Sequence, residues 1–188
     1  EDVFVNGKLY ERNALPSVKQ EEDVMLLLHA FALNNDAVAG DDKIIKGDST
    51  EIALMEVSRE QNIHPHDTWP RLAEIAFDAD RKLMTTFHSH HDKIISFTKG
   101  APDILLQRCV DIDLPAMQKQ VDEMAAKGHR VLGFACRYWD TLPENPDMEI
   151  HESGLRFLGL VGIIDPPREE VFDAVAQCKT AGIVPVMI

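Results

Sequence analysis

The segment Lys99-Gly100-Ala101-Pro102-Asp103 combines residue types that can bind an anion where a helix begins. Gly100 and Ala101 allow another group to approach the backbone closely, and Pro102 suits the first position of a helix. A lysine just before a helix N-terminus makes a small anion site. A plain strand–helix turn with a solvated lysine would have the same sequence, so both interpretations stay open.

A second chemical signal is the segment 77–82, in which an aromatic residue precedes a lysine by five positions. An exposed Phe77 could stack on a nucleobase, and Lys82 could then reach the phosphates of the same ligand. The alternative is a core phenylalanine followed by a charged turn. We expect the segment to lie just ahead of a strand.

Two further segments have structural explanations that are sufficient by themselves. Residues 47–51 begin a helix that Asp48 or Ser49 can cap, and they lack the lysine and hydroxyl ending of a P-loop. Residues 165–168, with two prolines, form a stiff linker. A hinge and a rigid connection fit that linker equally well.

The histidines and cysteines predict no metal site and no disulfide framework. His88, His90 and His91 cluster on a predicted hairpin tip, where we expect solvent rather than the supporting hydrogen bonds that a tight metal site needs. The three cysteines (109, 136 and 178) are odd in number and far apart, which is typical of reduced thiols.

Composition restricts the class of partner. The chain has 19 lysines and arginines against 32 aspartates and glutamates, a net charge of −13, which argues against nucleic-acid binding and anionic membranes. Hydrophobic residues make up 45%, enough for a core. No apolar stretch approaches a membrane span, so we expect these residues not to be membrane-inserted. The chain ends in an apolar run, from which we expect a longer parent protein.

The elements that must position these residues follow from periodicity and capping signals. The pattern predicts a hairpin at 3–10, strands at 82–88, 93–98, 129–138 and 155–164, and helices at 21–34, 48–61, 102–109, 115–126 and 169–181. A strand after Gly182 would complete a β-α-β unit. We therefore predict an α+β fold, an antiparallel sheet flanked by helices, with a boundary near residue 165.

Four motifs in a fixed order are more specific than any one of them. Residues 47–51 with Ala53-Leu54, then 77–84, 99–103 and 165–168, resemble the large cytoplasmic loop of P-type cation-transporting ATPases, and most of all the calcium-pump branch. The resemblance covers nearly the whole chain. It implies a nucleotide-binding (N) domain at 1–164, followed at 165–188 by a hinge and the truncated start of the second part of the HAD-like phosphorylation (P) domain.

The resemblance also implies roles for individual residues. Phe77 would stack on adenine, Lys82 and Lys99 would be the nucleotide-pocket lysines, and Arg130 would reach the phosphates. The remaining implied positions are the pocket-lining Gly100 and Ala101, the polar pair Thr50 and Glu51, the apolar walls Met84 and Leu132, and the hinge Asp165, Pro166, Pro167 and Arg168.

The function implied for the parent protein is an ATP-driven cation pump, with calcium as the cation and an aspartyl-phosphate intermediate. ATP would enter with Mg²⁺, and the P and actuator domains of the same parent chain would be its partners. The domain would face the cytoplasm from an integral protein of the cell membrane. The family's phosphorylated aspartate falls outside these residues, so we assign no catalytic residue and expect ATP binding without hydrolysis. The alternatives are a non-catalytic protein-interaction module and a histidine-rich metal-binding domain.

Overall fold

The computed structural model describes residues 1–17, 21–39, 45–63, 68–164 and 169–186, and its central element is an antiparallel sheet. The strands are β1 (Asp2–Val5), β2 (Lys8–Glu11), β3 (Val38–Ala39), β4 (Ile45–Lys46), β5 (Arg71–Asp78), β6 (Leu83–His90), β7 (Lys93–Gly100), β8 (Cys109–Val110), β9 (Arg130–Trp139) and β10 (Leu155–Ile163). The α-helices are α1 (Glu22–Leu33), α2 (Ser49–Glu60), α3 (Pro102–Arg108), α4 (Leu114–Ala126), α5 (Met148–His151) and α6 (Glu169–Thr180).

The strand order of the main sheet is β2-β1-β10-β9-β7-β6-β5, and every neighbouring pair along it is antiparallel. The short β8 adds a parallel pairing to β10, and β3 pairs with β4 separately. The α+β prediction is confirmed.

Local signals placed most of these elements correctly. Asn6 and Gly7 both have positive φ, 51° and 74°, as the predicted type I′ turn between β1 and β2 requires. Gly128 follows α4 with φ 82°, as a left-handed helix stop does. The turn between β6 and β7 is tighter than predicted, because His90 pairs with Lys93 and the strands continue to the tip.

Strand β5 was missed by the sequence analysis. It is the last strand of the main sheet, and its burial pattern has only Ala73 and Ile75 half-buried while the other positions are exposed. An edge strand with one neighbour buries little apolar surface, so its sequence lacks the alternation that marks a half-buried strand. The segment containing Phe77 therefore lies at the end of a strand.

The core lies between α1 and the sheet. Phe31 on α1 meets Phe134 on β9 edge to face, with ring centroids 4.8 Å apart, and both are fully buried. Burying each such ring stabilises the fold by about 1.5–3 kcal/mol. The Ser58 hydroxyl of α2 donates to the backbone oxygen of Leu28, 2.7 Å away, and so fastens α2 to α1.

The structure corrects the prediction of a closing strand after Gly182. Helix α6 forms as predicted, but residues 183–186 are not in a strand, and Val184 and Val186 are 81% and 78% exposed. A strand needs a hydrogen-bonded neighbour, and none of the described strands pairs with this segment. The β-α-β unit and its assignment to a P domain are therefore not seen. The predicted hinge, 165–168, lies outside the described residues, and the boundary near 165 stays a prediction.

Among the helices in the described ranges, none combines the length and the apolar character needed to cross a membrane.

Candidate functional site

A cavity of about 480 Å³ opens where β5 and β7 end and where β6, β9 and α2 begin. It is lined by Asp36, Asp48, Thr50, Glu51, Phe77, Met84, Lys99, Gly100, Arg130 and Leu132. Eight of the ten predicted pocket residues are in this lining, although they come from five separate elements. Lys82 and Ala101 are not, and Asp36 and Asp48 were not predicted.

Strand register explains how residues distant in sequence meet here. Met84 on β6 pairs with Lys99 on β7, and Gly100 pairs with Gly133 on β9. Arg130 and Leu132 are two positions apart on β9, so they share one face of the sheet. The antiparallel order therefore places the three strands side by side beneath the cavity.

Among the residues that the structure describes, two larger cavities lie elsewhere, and neither is lined by an exposed aromatic ring. One, of about 640 Å³, lies between the end of α6 and residues 182–186 and is mostly apolar. The other, of about 570 Å³, includes Arg156, which is already paired with Asp23 and Glu22. The smaller cavity holds both an exposed aromatic ring and charges of both signs.

Lys99 forms a buried ion pair at the base of the cavity. The residue is 8% exposed, and its ammonium donates to Glu51 Oε1 at 2.5 Å and to the backbone oxygen of Asn34 at 2.7 Å. Burial lowers the pKa of Lys99, and the hydrogen bond to Glu51 opposes that shift. Lys99 is thus not the solvated lysine considered from the sequence, because its partner is supplied by a helix 48 residues away.

Asn34 and Asn35 hold this corner together from the end of α1. The Asn34 amide donates to the backbone oxygens of Met84 at 3.0 Å and Phe97 at 2.7 Å, which fixes α1 to β6 and β7. The Asn35 amide donates to the backbone oxygen of Glu51 at 2.8 Å. The first turn of α2 is thereby fixed against α1, with Glu51 directed to Lys99.

Asp48 caps α2 as predicted. Its Oδ1 accepts the backbone N–H of Thr50 at 2.9 Å, and this hydrogen bond lowers the pKa of Asp48, with the charge of Arg130 contributing. Exposed Arg130 donates from Nη1 to the Thr50 hydroxyl at 3.3 Å. The cavity mouth therefore carries the guanidinium of Arg130, which makes a long hydrogen bond to Thr50.

Phe77 is 60% exposed, so it is not a core residue. It lies near the end of β5, where the pairing with β6 is irregular between Ile75 and Asp78. Met84, 2% exposed, and half-buried Leu132 supply the apolar part of the lining. The ring is available for stacking against a flat ligand.

Gly100 is required by close packing. A Cβ at this position would lie 2.1 Å from the backbone oxygen of Lys82 and 2.8 Å from a methyl of Leu83. The same Lys82 oxygen accepts the backbone N–H of Ala101 at 3.1 Å. Lys82 and Ala101 therefore meet beside the cavity through their backbones, while the Lys82 side chain is exposed.

Asp36 could not be found from a sequence motif. Arg71 on β5 donates to Asp36 at 2.8 Å and to Glu74, also at 2.8 Å. These contacts join the loop after α1 to the strand that carries Phe77. They depend on a strand that the sequence did not reveal, so no local signal indicated them.

The histidines of the β6–β7 hairpin are engaged with protein groups. Buried His88 contacts the Thr86 hydroxyl through Nε2 at 2.9 Å, and His90 packs on Trp69 with centroids 3.9 Å apart. Within the described ranges, no group of three or more His, Cys, Asp or Glu side chains is arranged to hold a metal ion. All three cysteines are free, and burial raises the pKa of Cys109 and Cys136 to about 12.

Comparison with known proteins gives a consistent result. A family model described as "P-type ATPase, cytoplasmic domain N" matches residues 23–170. The chain is 37% identical to "Calcium-transporting ATPase 1" of Bacillus cereus, covering 98% of this chain and 22% of that protein. It is 35% identical to "Calcium-transporting ATPase 1" of Lactococcus lactis, covering 89% and 21%, and 37% identical to "Probable cation-transporting P-type ATPase" of Mycoplasma genitalium, covering 86% and 19%. It thus spans about a fifth of the length of these relatives.

Proposed function

The chain belongs to the P-type ATPase family, in which it matches the cytoplasmic N domain, and from that premise we propose that it binds ATP in the cavity lined by Phe77 and Lys99. The parent protein is an ATP-driven cation pump that passes through an aspartyl-phosphate intermediate. Calcium is the proposed cation, supported by the names of two relatives, both calcium-transporting ATPases.

The observation that supports nucleotide binding best is the exposed ring of Phe77 beside a charged cavity of about 480 Å³. A volume of this size lies in the range of small-molecule sites. Aromatic rings stack on any nucleobase, because every base has a π-face. The cavity is lined by an exposed phenylalanine and by the positively charged side chains of Lys99 and Arg130. These features fit a ligand with a flat base and an anionic tail.

The proposed roles follow from burial and from existing partners. Phe77 stacks on the base, and Glu51 accepts a hydrogen bond from it. Exposed Arg130 and Lys82 meet the phosphates, since their charged groups can reach solvent. Lys99 has two protein acceptors already, so it acts mainly by holding Glu51 and by adding positive potential to the base of the cavity.

Charge balance predicts modest affinity. The net charge of −13 repels ATP at long range, and local cations must offset that repulsion. Weak binding suits a domain that must release ADP in each cycle. Mg²⁺ would arrive with the nucleotide and neutralise phosphate charge, held mainly by groups outside this chain.

In the parent protein, this domain would hold ATP by its adenine end and present the γ-phosphate to the P domain. Phosphoryl transfer depends mainly on positioning and charge neutralisation. Movement at 165–168 would bring the N and P domains together, with the actuator domain as a further partner. The domain would work on the cytoplasmic side of the cell membrane.

Calorimetric titration of the 188-residue chain with ATP, ADP, adenosine and inorganic tripolyphosphate tests the proposal. We expect saturable one-to-one binding of ATP and ADP, weaker binding of adenosine, and no steady ATP hydrolysis above a buffer blank. Absence of saturable ATP binding at millimolar concentration would contradict the proposal and favour an interaction module.

A further inference from the structure

A buried ion pair outside the cavity links two distant parts of the chain. Glu152, at the end of α5, is completely buried, and its Oε1 accepts from Arg81 Nη1 at 2.6 Å. Arg81 belongs to the turn between β5 and β6, and its side chain is only 9% exposed. The two residues are 71 positions apart.

Arg81 also reaches the backbone beside Phe77. Its Nη2 donates to the carbonyl oxygen of Ala76 at 2.5 Å. At this point Ile75 pairs with Thr85 and Asp78 pairs with Leu83, so three steps along β5 oppose two along β6. An irregularity of this kind redirects the side chains of the strand. Arg81 therefore contacts the backbone one residue before Phe77, within this irregularity.

The same carboxylate joins the neighbouring strands. Thr85 donates from its hydroxyl to Glu152 Oε1 at 2.7 Å, and the hydroxyls of Thr85 and Thr98 are 2.9 Å apart. Glu152 Oε2 and Arg81 Nε have no hydrogen-bond partner in the part of the chain that the structure describes. A buried ion pair with unsatisfied hydrogen-bonding groups adds little stability compared with apolar residues of similar size. Such a pair can instead select one conformation of the segments that it joins.

We propose that Glu152 and Arg81 are positioning residues for nucleotide binding, which hold Phe77 in the direction that base stacking requires. This inference rests on the function proposed above. Glu152 orients Arg81, Arg81 holds the Ala76 carbonyl, and the backbone at Ala76 sets the path of Phe77. Neither charged group lines the cavity, so the effect on the ligand passes through the ring.

A double-mutant cycle between positions 152 and 77 tests the inference. We expect Glu152→Gln to weaken adenosine binding at least about fivefold, in the range of couplings between residues that share a network. In a Phe77→Ala background the same substitution should change adenosine affinity less than about twofold. Binding of inorganic tripolyphosphate should change less than about twofold in all four proteins. Of the two proposed phosphate contacts only Lys82 lies in the turn that Arg81 holds, and exposed Arg130 on β9 lies outside it.

A second variant and a control separate positioning from general stability. Arg81→Lys keeps the positive charge, but one ammonium lacks the fork that bonds Glu152 and Ala76 together, so it should reproduce the loss of adenosine binding. Ser58→Ala removes a buried hydrogen bond outside this network and should lower thermal stability without changing adenosine affinity. Hydrogen exchange of residues 71–82 should accelerate in Glu152→Gln and Arg81→Lys and remain unchanged in Ser58→Ala.

The outcomes distinguish this inference from the proposed function. Independent effects of Glu152→Gln and Phe77→Ala, or an equal loss of tripolyphosphate binding, would overturn the positioning role alone. Failure of the unsubstituted chain to bind ATP would overturn the proposed function. In that case, unchanged hydrogen exchange at 71–82 in both Glu152→Gln and Arg81→Lys would overturn the positioning of Phe77 as well.

Discussion

At the scale of single residues, Phe77 and Lys99 lie in opposite environments although both line one cavity. The ring is 60% exposed and the lysine 8% exposed. Their contributions to binding should therefore differ in kind: Phe77 offers a free surface, whereas Lys99 is part of the folded framework. Substitutions at the two positions test this difference.

We expect Phe77→Ala to weaken ATP and adenosine alike, by about 5- to 150-fold, because stacking on a base is worth about 1–3 kcal/mol. The domain should keep its stability, since the side chain is largely solvated. Calorimetric titration and thermal unfolding measure the two properties. Leu72→Ala is the matched control: Leu72 is an exposed apolar residue of the same strand, 42% exposed, and it does not line the cavity. Unfolding of the Phe77 variant would show that the ring supports the core instead.

Removing the Lys99 ammonium should affect stability as well as binding. In Lys99→Met the aliphatic stem is kept, but Glu51 and the Asn34 carbonyl lose their donor. We expect the free energy of unfolding to fall by about 1–3 kcal/mol. ATP and adenosine should both weaken, with little dependence on salt, because salt screens buried charges poorly. Denaturant unfolding and titration at two salt concentrations give these values.

Lys93→Met is the control for the Lys99 variant. Lys93 lies on the same strand, but its side chain is 53% exposed and its nearest partner, Asp140, is 3.4 Å away. Exposed pairs of this kind contribute little, so stability should change by less than about 0.5 kcal/mol. If Lys99→Met weakened ATP alone, and only at low salt, the lysine would be a phosphate contact as the sequence first indicated.

At the scale of elements, α2 and α4 begin with the same device but differ in what their first turns do. Asp48 accepts the N–H of Thr50, and Asp113 accepts the N–H of Ala116. Of these two turns, only that of α2 carries residues that line the cavity of about 480 Å³, Thr50 and Glu51. The two caps therefore form a natural pair for separating helix stability from ligand binding.

Replacing either cap by alanine should lower stability by about 1 kcal/mol. Asp48→Ala should in addition weaken ATP binding severalfold, because the first turn that presents Glu51 frays. Asp113→Ala should leave ATP affinity unchanged. Thermal unfolding combined with titration makes the comparison, and equal affinities in both variants would show that α1 and Lys99 alone hold Glu51 in place.

At the scale of the whole molecule, the aromatic cluster around Trp69 ties the α1 helix to the β6–β7 hairpin. His29 stacks on Trp69 with ring centroids 4.5 Å apart, and His90 packs on Trp69 with ring centroids 3.9 Å apart. Burial lowers the pKa of both histidines below the ordinary value of 6.5, and the neighbouring His91 adds to the effect at His90. Both are therefore neutral in the folded protein at pH 7.

Stability should accordingly fall as the pH drops below about 6.5. Below that pH the unfolded chain takes up protons that the folded chain still resists, so protonation favours unfolding. The contribution is fully present above pH 6.5 and is lost as the pH falls from there. Thermal unfolding between pH 7.5 and 5.5 measures it, and the double variant His29→Gln/His90→Gln should show a flatter profile. An equally steep profile in that variant would assign the pH dependence to other groups.

Local interactions allowed much of the fold to be predicted from sequence. The Asp48 cap, the Asn6-Gly7 turn and the stop at Gly128 depend on neighbours within a few positions, so the chain specifies them wherever it folds. Motif resemblance identified eight residues that the structure brings to one cavity. These residues are separated along the chain, and the resemblance supplied the long-range information that periodicity lacks.

Tertiary structure alone decided which charged side chains are already paired within the protein and which remain available to a ligand. Lys99 meets Glu51 across 48 positions and Arg81 meets Glu152 across 71, so neither pairing leaves a local mark in the sequence. The same holds for β5, which exists because β6 offers it an edge, and for residues 183–186, which lack such an edge among the described strands. Residue type and spacing determine what a segment can do, whereas burial and pairing depend on distant segments that meet only when the chain folds.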